Sequence, residues 1–221
     1  KNPLTPIQLT IDNLRSKYLK DIKNENKNKF EVNLNTINNQ INQIENLVNE
    51  FSDFARMPKP VFKNNDLVNI LNESVKLSSE LDKSIKIDMK NYDKEILFKC
   101  DKEQISRVFF NLIKNSIESI KQKAEKGGFF EKKISIEILD NNDHIKFILV
   151  DNGIGFDLIK NDIKKILNPY FTTKKNGTGL GLSIVNKIIN DHNGELSFLP
   201  ITDGAKVEIY FKLNGNRNIN S

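Results

Sequence analysis

The sequence predicts an α+β protein, a helical hairpin followed by an α/β sandwich. Three observations carry this. Apolar residues recur at heptad spacing through the first 55 residues, the mark of a narrow helix–helix seam. A proline pair, Pro58 and Pro60, then interrupts the pattern and disfavours helix in the residues before it. Beyond it, helix-period segments mix with alternating, largely antiparallel strands, which places helices over one face of a sheet.

In the first part, Leu4, Ile7, Ile11, Leu14 and Tyr18 are spaced 3-4-3-4. After the polar stretch DIKNENKNK, Leu34, Ile37, Ile41, Ile44, Val48, Phe51 and Ala55 repeat that spacing. Two such helices, joined by about a dozen polar residues, read as an antiparallel hairpin. A hairpin alone cannot cover so long a seam, so dimerisation into a four-helix bundle is expected. Pro3 and Pro6 in KNPLTPIQLT read as a kink within a helix that continues upstream, rather than as its start.

The second part begins with the helix NDLVNILNESVKLSSEL, with Leu67, Ile70, Leu71, Val75 and Leu77 on its inner face. SIKIDMK alternates like a strand, and DKEQISRVFFNLIKNSIESIKQKA is a long helix. KKISIEILD and HIKFILVD are strands joined by the turn NND. LGLSIVNKIINDH is a helix, and GELSFLP and AKVEIYFKL close the sheet around ITDG. The organisation is residues 1–57, a linker at 58–62, a domain at 63–213 and a disordered tail at 214–221.

Composition narrows the function. The 221 residues are 38% hydrophobic, enough for one large domain or two smaller ones with cores of their own. Net charge is +5, but the lysines are spread along the chain and only four arginines occur, which argues against direct nucleic-acid recognition. A single cysteine, Cys100, permits no internal disulfide, fits a reducing compartment and reads as a small buried hydrophobe. No run approaches the roughly 18 apolar residues of a membrane span. The 32 asparagines lower the weight of any single one.

The chemistry concentrates where glycine does. Five of ten glycines fall between 153 and 181, in DNGIGF and NGTGLGLS. A glycine cluster ahead of a helix is a phosphate cradle, because bare N–H groups and the helix dipole both favour anions. GTGLG alone would also suit a dinucleotide fingerprint, but the preceding NPYFTTKKN is a loop, and GxxxxGK[ST] is absent. Asn111 and Asn115 are i, i+4 on one helix face. An Asn carbonyl is a suitable hard ligand for Mg²⁺. Asp151 ends an apolar strand, where a carboxylate is costly to bury without a partner.

FNLIKN, DNGIGF, PYFTTK and GTGLGL, in that order, resemble the N, G1, F and G2 boxes of the GHKL (Bergerat) ATP-binding fold, and with residues 1–57 they resemble a two-component sensor histidine kinase. NPLTPIQL with EFSDFARMPKP looks like the NtrY type of nitrogen-regulation sensor kinase. The resemblance implies that ATP and Mg²⁺ are bound by the second domain. It makes Asn115 the metal ligand, Asn111 its support, and Asp151 the acceptor of the adenine amino hydrogen. Lys114 could reach phosphate. Gly153 and Gly155 let backbone pass close to the base. Phe171 is the F-box aromatic, Thr172, Thr173 and Lys174 serve the phosphates, and Gly177, Thr178, Gly179, Leu180 and Gly181 shape the end of the lid and the next helix N-terminus. His192, in DHNGELS, is expected to be structural, and His144 to face solvent.

In the family the γ-phosphoryl passes to a histidine in a stretch like HEIKNPLTPI. That histidine would lie three residues before Lys1, so the chain as given should bind ATP without autophosphorylating. Asn2 falls where the family often orients water for dephosphorylation. The implied partners are a second copy through the hairpin and a response-regulator receiver domain. The implied setting is the cytoplasm, with membrane attachment only through upstream segments. The alternatives are a non-catalytic dimerisation and docking module of the same fold, or a GHKL ATPase of the chaperone or DNA-repair kind.

Overall fold

The computed structural model describes residues 4–20, 22–90, 94–141, 143–156, 163–174 and 177–213. Asn2 and residues 214–221 lie outside them, as does Asn142 of the NND turn. The chain divides into two units. Lys1–Met57 with Thr172–Thr178 form the first, and Pro58–Phe171 with Gly179–Ser221 the second.

The first unit is built on α1 (Thr5–Tyr18) and α2 (Asn24–Ala55). Pro6 lies in the first turn of α1, where a missing N–H leaves no bond unmade. Leu4 before it already has helical dihedrals and no side-chain cap. The helices run antiparallel, since Gln8 bonds Asn42 and Arg15 bonds Asn35. Ile11, Leu34 and Ile41 form the buried core, with Leu4 and Phe30 packed against it. The connection is far shorter than the polar stretch suggested, because α2 already begins at Asn24. Asn26, Lys27, Asn28 and Lys29 lie on solvated helix surface, where polarity alone does not break a helix.

Within the hairpin one of the two heptad positions is buried over part of its length, with Tyr18 and Val48 of the same position exposed. Leu4, Ile11, Leu34 and Ile41 belong to it. The other, Ile7, Leu14, Ile37 and Ile44, is left exposed, with Ile44 49% exposed.

In the second unit a mixed five-stranded sheet has the order β2 (Lys86–Lys90), β4 (Lys133–Asp140), β5 (His144–Asp151), β7 (Ala205–Lys212), β6 (Gly194–Leu199). Only β2 pairs parallel to its neighbour. A second, two-stranded sheet pairs β1 (Lys63–Asp66) with β3 (Leu97–Cys100). Both strands are four residues long, too short for alternation to announce them. Helices α3 (Leu67–Ser79), α4 (Lys102–Glu125) and α6 (Gly181–Asp191) and the four-residue α5 (Ile163–Ile166) complete the order.

The core lies between the helices and one sheet face. Along β4, β5 and β7 the inward residues are Ile134, Ile136 and Ile138, then Ile145, Phe147 and Leu149, then Val207, Ile209 and Phe211, all buried. Phe109 of α4 meets Phe147 at 4.8 Å between ring centroids. Burying each such side chain contributes about 1.5–3 kcal/mol. On α3 the buried face is Leu67, Ile70, Leu71, Ser74 and Ser78, and Leu77 points outward at 62% exposure. The true period, i, i+3, i+4, i+7, passes through two serines and bypasses Leu77. Ser74 is tolerated there because it donates to the Ile70 carbonyl.

Two aspartates cap helices and tie loops together. Asp66 accepts from Val68 N–H at the start of α3 and from Ile96 N–H. Asp101 accepts from Gln104 N–H at the start of α4 and from Val61 N–H. Such caps contribute about 1 kcal/mol each. With Gln104 also donating to the Pro58 carbonyl and the Phe62 ring edge-on to His192, residues 58–62 are bonded to the second unit.

Candidate nucleotide site

The inward parity of β5 runs 145, 147, 149, 151, so Asp151 faces the helix layer instead of solvent. It is 3% exposed. Its Oδ2 accepts from the Ser116 hydroxyl of α4 at 2.8 Å, and its Oδ1 from Gly153 N–H at 2.9 Å. Burial pushes the carboxyl above the usual Asp range. The Gly153 N–H, the Ser116 hydroxyl, the Ala205 N–H and the charge of Lys123 all oppose that shift.

The turn after Asp151 is held on three sides. Asn152 accepts from Lys133 N–H and donates to the Glu131 carbonyl. Lys123 donates to the Asn152 carbonyl and to Asp203, its ammonium 4.8 Å from the Phe130 ring centroid. Ser119 accepts from Ile154 N–H. Gly153 has a packing reason as well, because a Cβ there would sit 2.7 Å from the Ser119 carbonyl carbon. Gly155, at φ +73°, lies against the Gly204 carbonyl.

Asn111, Lys114 and Asn115 are half-buried on α4. A Cβ on Gly181 would lie 3.9 Å from Asn115 Nδ2, so Asn115 stands beside the first residue of α6. Leu180 is fully buried, and whatever it offers a ligand comes from its backbone. Gly179, at φ +71°, packs on Tyr170 and Phe171, and its carbonyl accepts from Tyr170 N–H. Tyr170 itself has φ 70°, uncommon for a bulky residue. Phe171 is half-buried.

Thr172–Thr178 groups with the first unit. Within it Thr172 accepts from Lys174 N–H, Thr173 is exposed, and Gly177 leaves no room for a Cβ beside Thr172. Thr178 donates to Glu50. Within the second unit the structure therefore brings Asp151, Gly153 and Gly155 together and sets Asn115 beside the start of α6.

His192 is buried. Its Nε2 accepts from Asp101 N–H at 3.1 Å and its Nδ1 lies 2.8 Å from the Ile188 carbonyl. Burial holds its pKa below the ordinary value. His144 is less solvated than expected, with its ring stacked on Tyr210 at 4.5 Å.

Sequence reasoning missed Ser116, Ser119 and Lys123. For Ser116 a signal existed. It falls in the stripe Phe109, Leu112, Ile113, Ile117, Ile120, where a hydroxyl needs a partner.

A buried acidic side chain at a strand end, facing a helix that carries paired asparagines, with a glycine-rich turn opening the next helix, defines an ATPase-like nucleotide fold. The chain belongs to the histidine kinase-, DNA gyrase B-, and HSP90-like ATPase family, which it matches over residues 100–215. Residues 1–60 match the His Kinase A (phospho-acceptor) domain. The chain is 36% identical over 96% of its length to an NtrY-like sensor histidine kinase of Rickettsia bellii, and 33% identical over 97% to the nitrogen regulation protein NtrY of Azorhizobium caulinodans. It spans 33% and 28% of those proteins. The solved histidine kinase ThkA, in complex with the response regulator protein TrrA, superposes over 94% of this chain and 57% of that one, with a TM-score of 0.68 and 22% identity, which bears on fold alone. No helix among the described residues is long and apolar enough to cross a membrane.

Proposed function

We propose that the chain is the catalytic core of a sensor histidine kinase. In this reading the second unit binds ATP, and the γ-phosphoryl passes to a histidine preceding Lys1 in the longer protein. From there it passes to an aspartate of a response-regulator receiver domain. The observation that carries the reading is Asp151, a carboxylate buried at the end of β5 and held by two donors. A group so costly to bury, kept as an acceptor, suits an adenine amino group.

Asn115, with an amide beside the N-terminus of α6, has the donor chemistry for a Mg²⁺ otherwise held by phosphate oxygens, and Asn111 supports the same face. When bound, Mg²⁺ would neutralise phosphate charge. The N-terminus of α6 follows the glycines and favours anions. Lys114 is within the same helical turn as both asparagines. Phe171, Thr172, Thr173, Lys174, Gly177 and Thr178 are assigned to the lid over the triphosphate on the family resemblance, as is the dephosphorylation role of Asn2. Catalysis in such a site is mostly positioning and charge stabilisation.

The exposed heptad position of the hairpin supports a second copy as its partner, completing a four-helix bundle. The test is direct. The chain should bind ADP in calorimetry, more tightly with Mg²⁺. A chain extended upstream through the preceding histidine should take label from γ-labelled ATP on that histidine. Absence of ADP binding would leave only a dimerisation and docking module, and absence of label with the histidine present would remove the kinase.

A further inference from the structure

The geometry points to Ser116 as the residue that makes Asp151 selective for a 6-amino purine over a 6-oxo purine. This rests on the nucleotide reading above and concerns how that site chooses its base.

A serine or threonine inside a helix commonly turns its hydroxyl back to the carbonyl four residues earlier. Thr10, Thr36 and Ser74 do so here, bonding Pro6, Val32 and Ile70. Ser116 does not. It is buried in the apolar stripe of α4, and its hydroxyl is directed across to Asp151 Oδ2 at 2.8 Å. A hydroxyl has one proton to donate, and this one is committed to the carboxylate. Gly153 N–H occupies the other oxygen at 2.9 Å.

Each carboxylate oxygen thus faces a donor within the protein, which favours the ionised, acceptor-only form. The other groups acting on that carboxylate are the Ala205 N–H and the Lys123 ammonium, which favour the same form. Burial alone would favour the protonated form. A protonated carboxyl can donate, and a donor suits the 6-oxo group of hypoxanthine as well as an acceptor suits the 6-amino group of adenine. Ser116 therefore acts through Asp151 as a positioning residue. It fixes the carboxylate rotamer and keeps it an acceptor.

Ser119, one turn later, gives an internal comparison. Its oxygen bonds Ile154 N–H and supports the turn backbone, without touching the carboxylate. Its loss should affect any purine nucleotide alike.

The experiment measures ADP and IDP dissociation constants by calorimetry on the full chain, for wild type, Ser116→Ala and Ser119→Ala. Wild type should prefer ADP. Ser116→Ala should weaken ADP about tenfold, the worth of one hydrogen bond to a charged group, and leave IDP within about twofold, so the ADP:IDP preference collapses. Ser119→Ala should weaken both equally and keep the preference. Equal weakening of ADP and IDP in Ser116→Ala, an unchanged preference, or the same collapse in Ser119→Ala would each overturn the inference. A wild type that binds neither nucleotide would instead remove the parent reading. A wild type that binds ADP, with its preference kept in Ser116→Ala, would remove this inference alone.

Discussion

Asp151→Asn should separate binding from stability. A hydrogen bond to a charged group contributes about 1.5–3 kcal/mol net, so losing the carboxylate should cost about 10–150-fold in ADP affinity. The fold should survive for reasons visible at the site. The introduced amide oxygen can still accept from Gly153 N–H, and its NH₂ can donate to Ser116, whose hydroxyl accepts as readily as it donates. The substitution also removes a buried charge. Burial raises the folded pKa of Asp151 above the ordinary carboxylate value of 3.8. Between the two values the folded chain holds a proton that the unfolded chain has released, so stability falls as pH rises through that window. Above that window the wild type carries the whole penalty, and the variant carries none. With about 2–4 °C per kcal/mol for a chain of this size, its Tm should lie within about 4 °C of wild type, or above it. Calorimetry with ADP and a thermal melt by circular dichroism test both halves. Unchanged ADP affinity would refute the adenine role. Lost affinity accompanied by a Tm drop of about 10 °C or more would show Asp151 to be structural.

Gly204→Ala should destabilise the second unit by about 3 kcal/mol or more, because φ is +94° and its Cβ would lie 1.8 Å from the Asp151 carbonyl oxygen; a urea melt measures this. His192 has its pKa depressed mainly by burial, against the Ile188 carbonyl and the charges of Asp101 and Asp191. Unfolding takes up a proton below the ordinary value of 6.5, so stability should fall as pH drops from 7 to 5.5, and His192→Gln should flatten that slope in urea melts. Cys100 is fully buried and its thiol is pushed up to about 11, so an aromatic disulfide reagent at pH 8 should label it only in denaturant; rapid labelling of the native chain would contradict its burial. Ile37→Asp with Ile44→Asp should convert a dimer to a monomer in analytical ultracentrifugation while helicity is largely kept, because both side chains point away from the hairpin core.

The legible features were those with a local cause. The heptads of residues 4–55 and the alternation of β4, β5 and β7 each express a repeat that neighbours in sequence complete. The strands β1 and β3 were not legible, because four-residue pairs are chosen by their partners, Lys63 opposite Cys100 and Asp66 opposite Leu97. Leu77 faces outward, against its hydrophobicity, because the helical period carries the buried face of α3 through Ser74 and Ser78.

The sequence by itself determined the heptad helices and the alternating strands β4, β5 and β7, and that a carboxylate would end an apolar strand before a glycine turn. Side-chain parity along β5 was already implied by the alternation of 145, 147 and 149. What only the tertiary structure decided is what Asp151 meets there. Its partner, Ser116, is 35 residues away on α4, and nothing local distinguishes it from the serines that bond their own helix. The same holds for residues 58–62, which read as a linker from their prolines and are bonded to Asp101 and Gln104 in the fold. Local interactions set the elements, but the long-range packing of α4 on the sheet sets which polar groups face one another, and the chemistry depends on that.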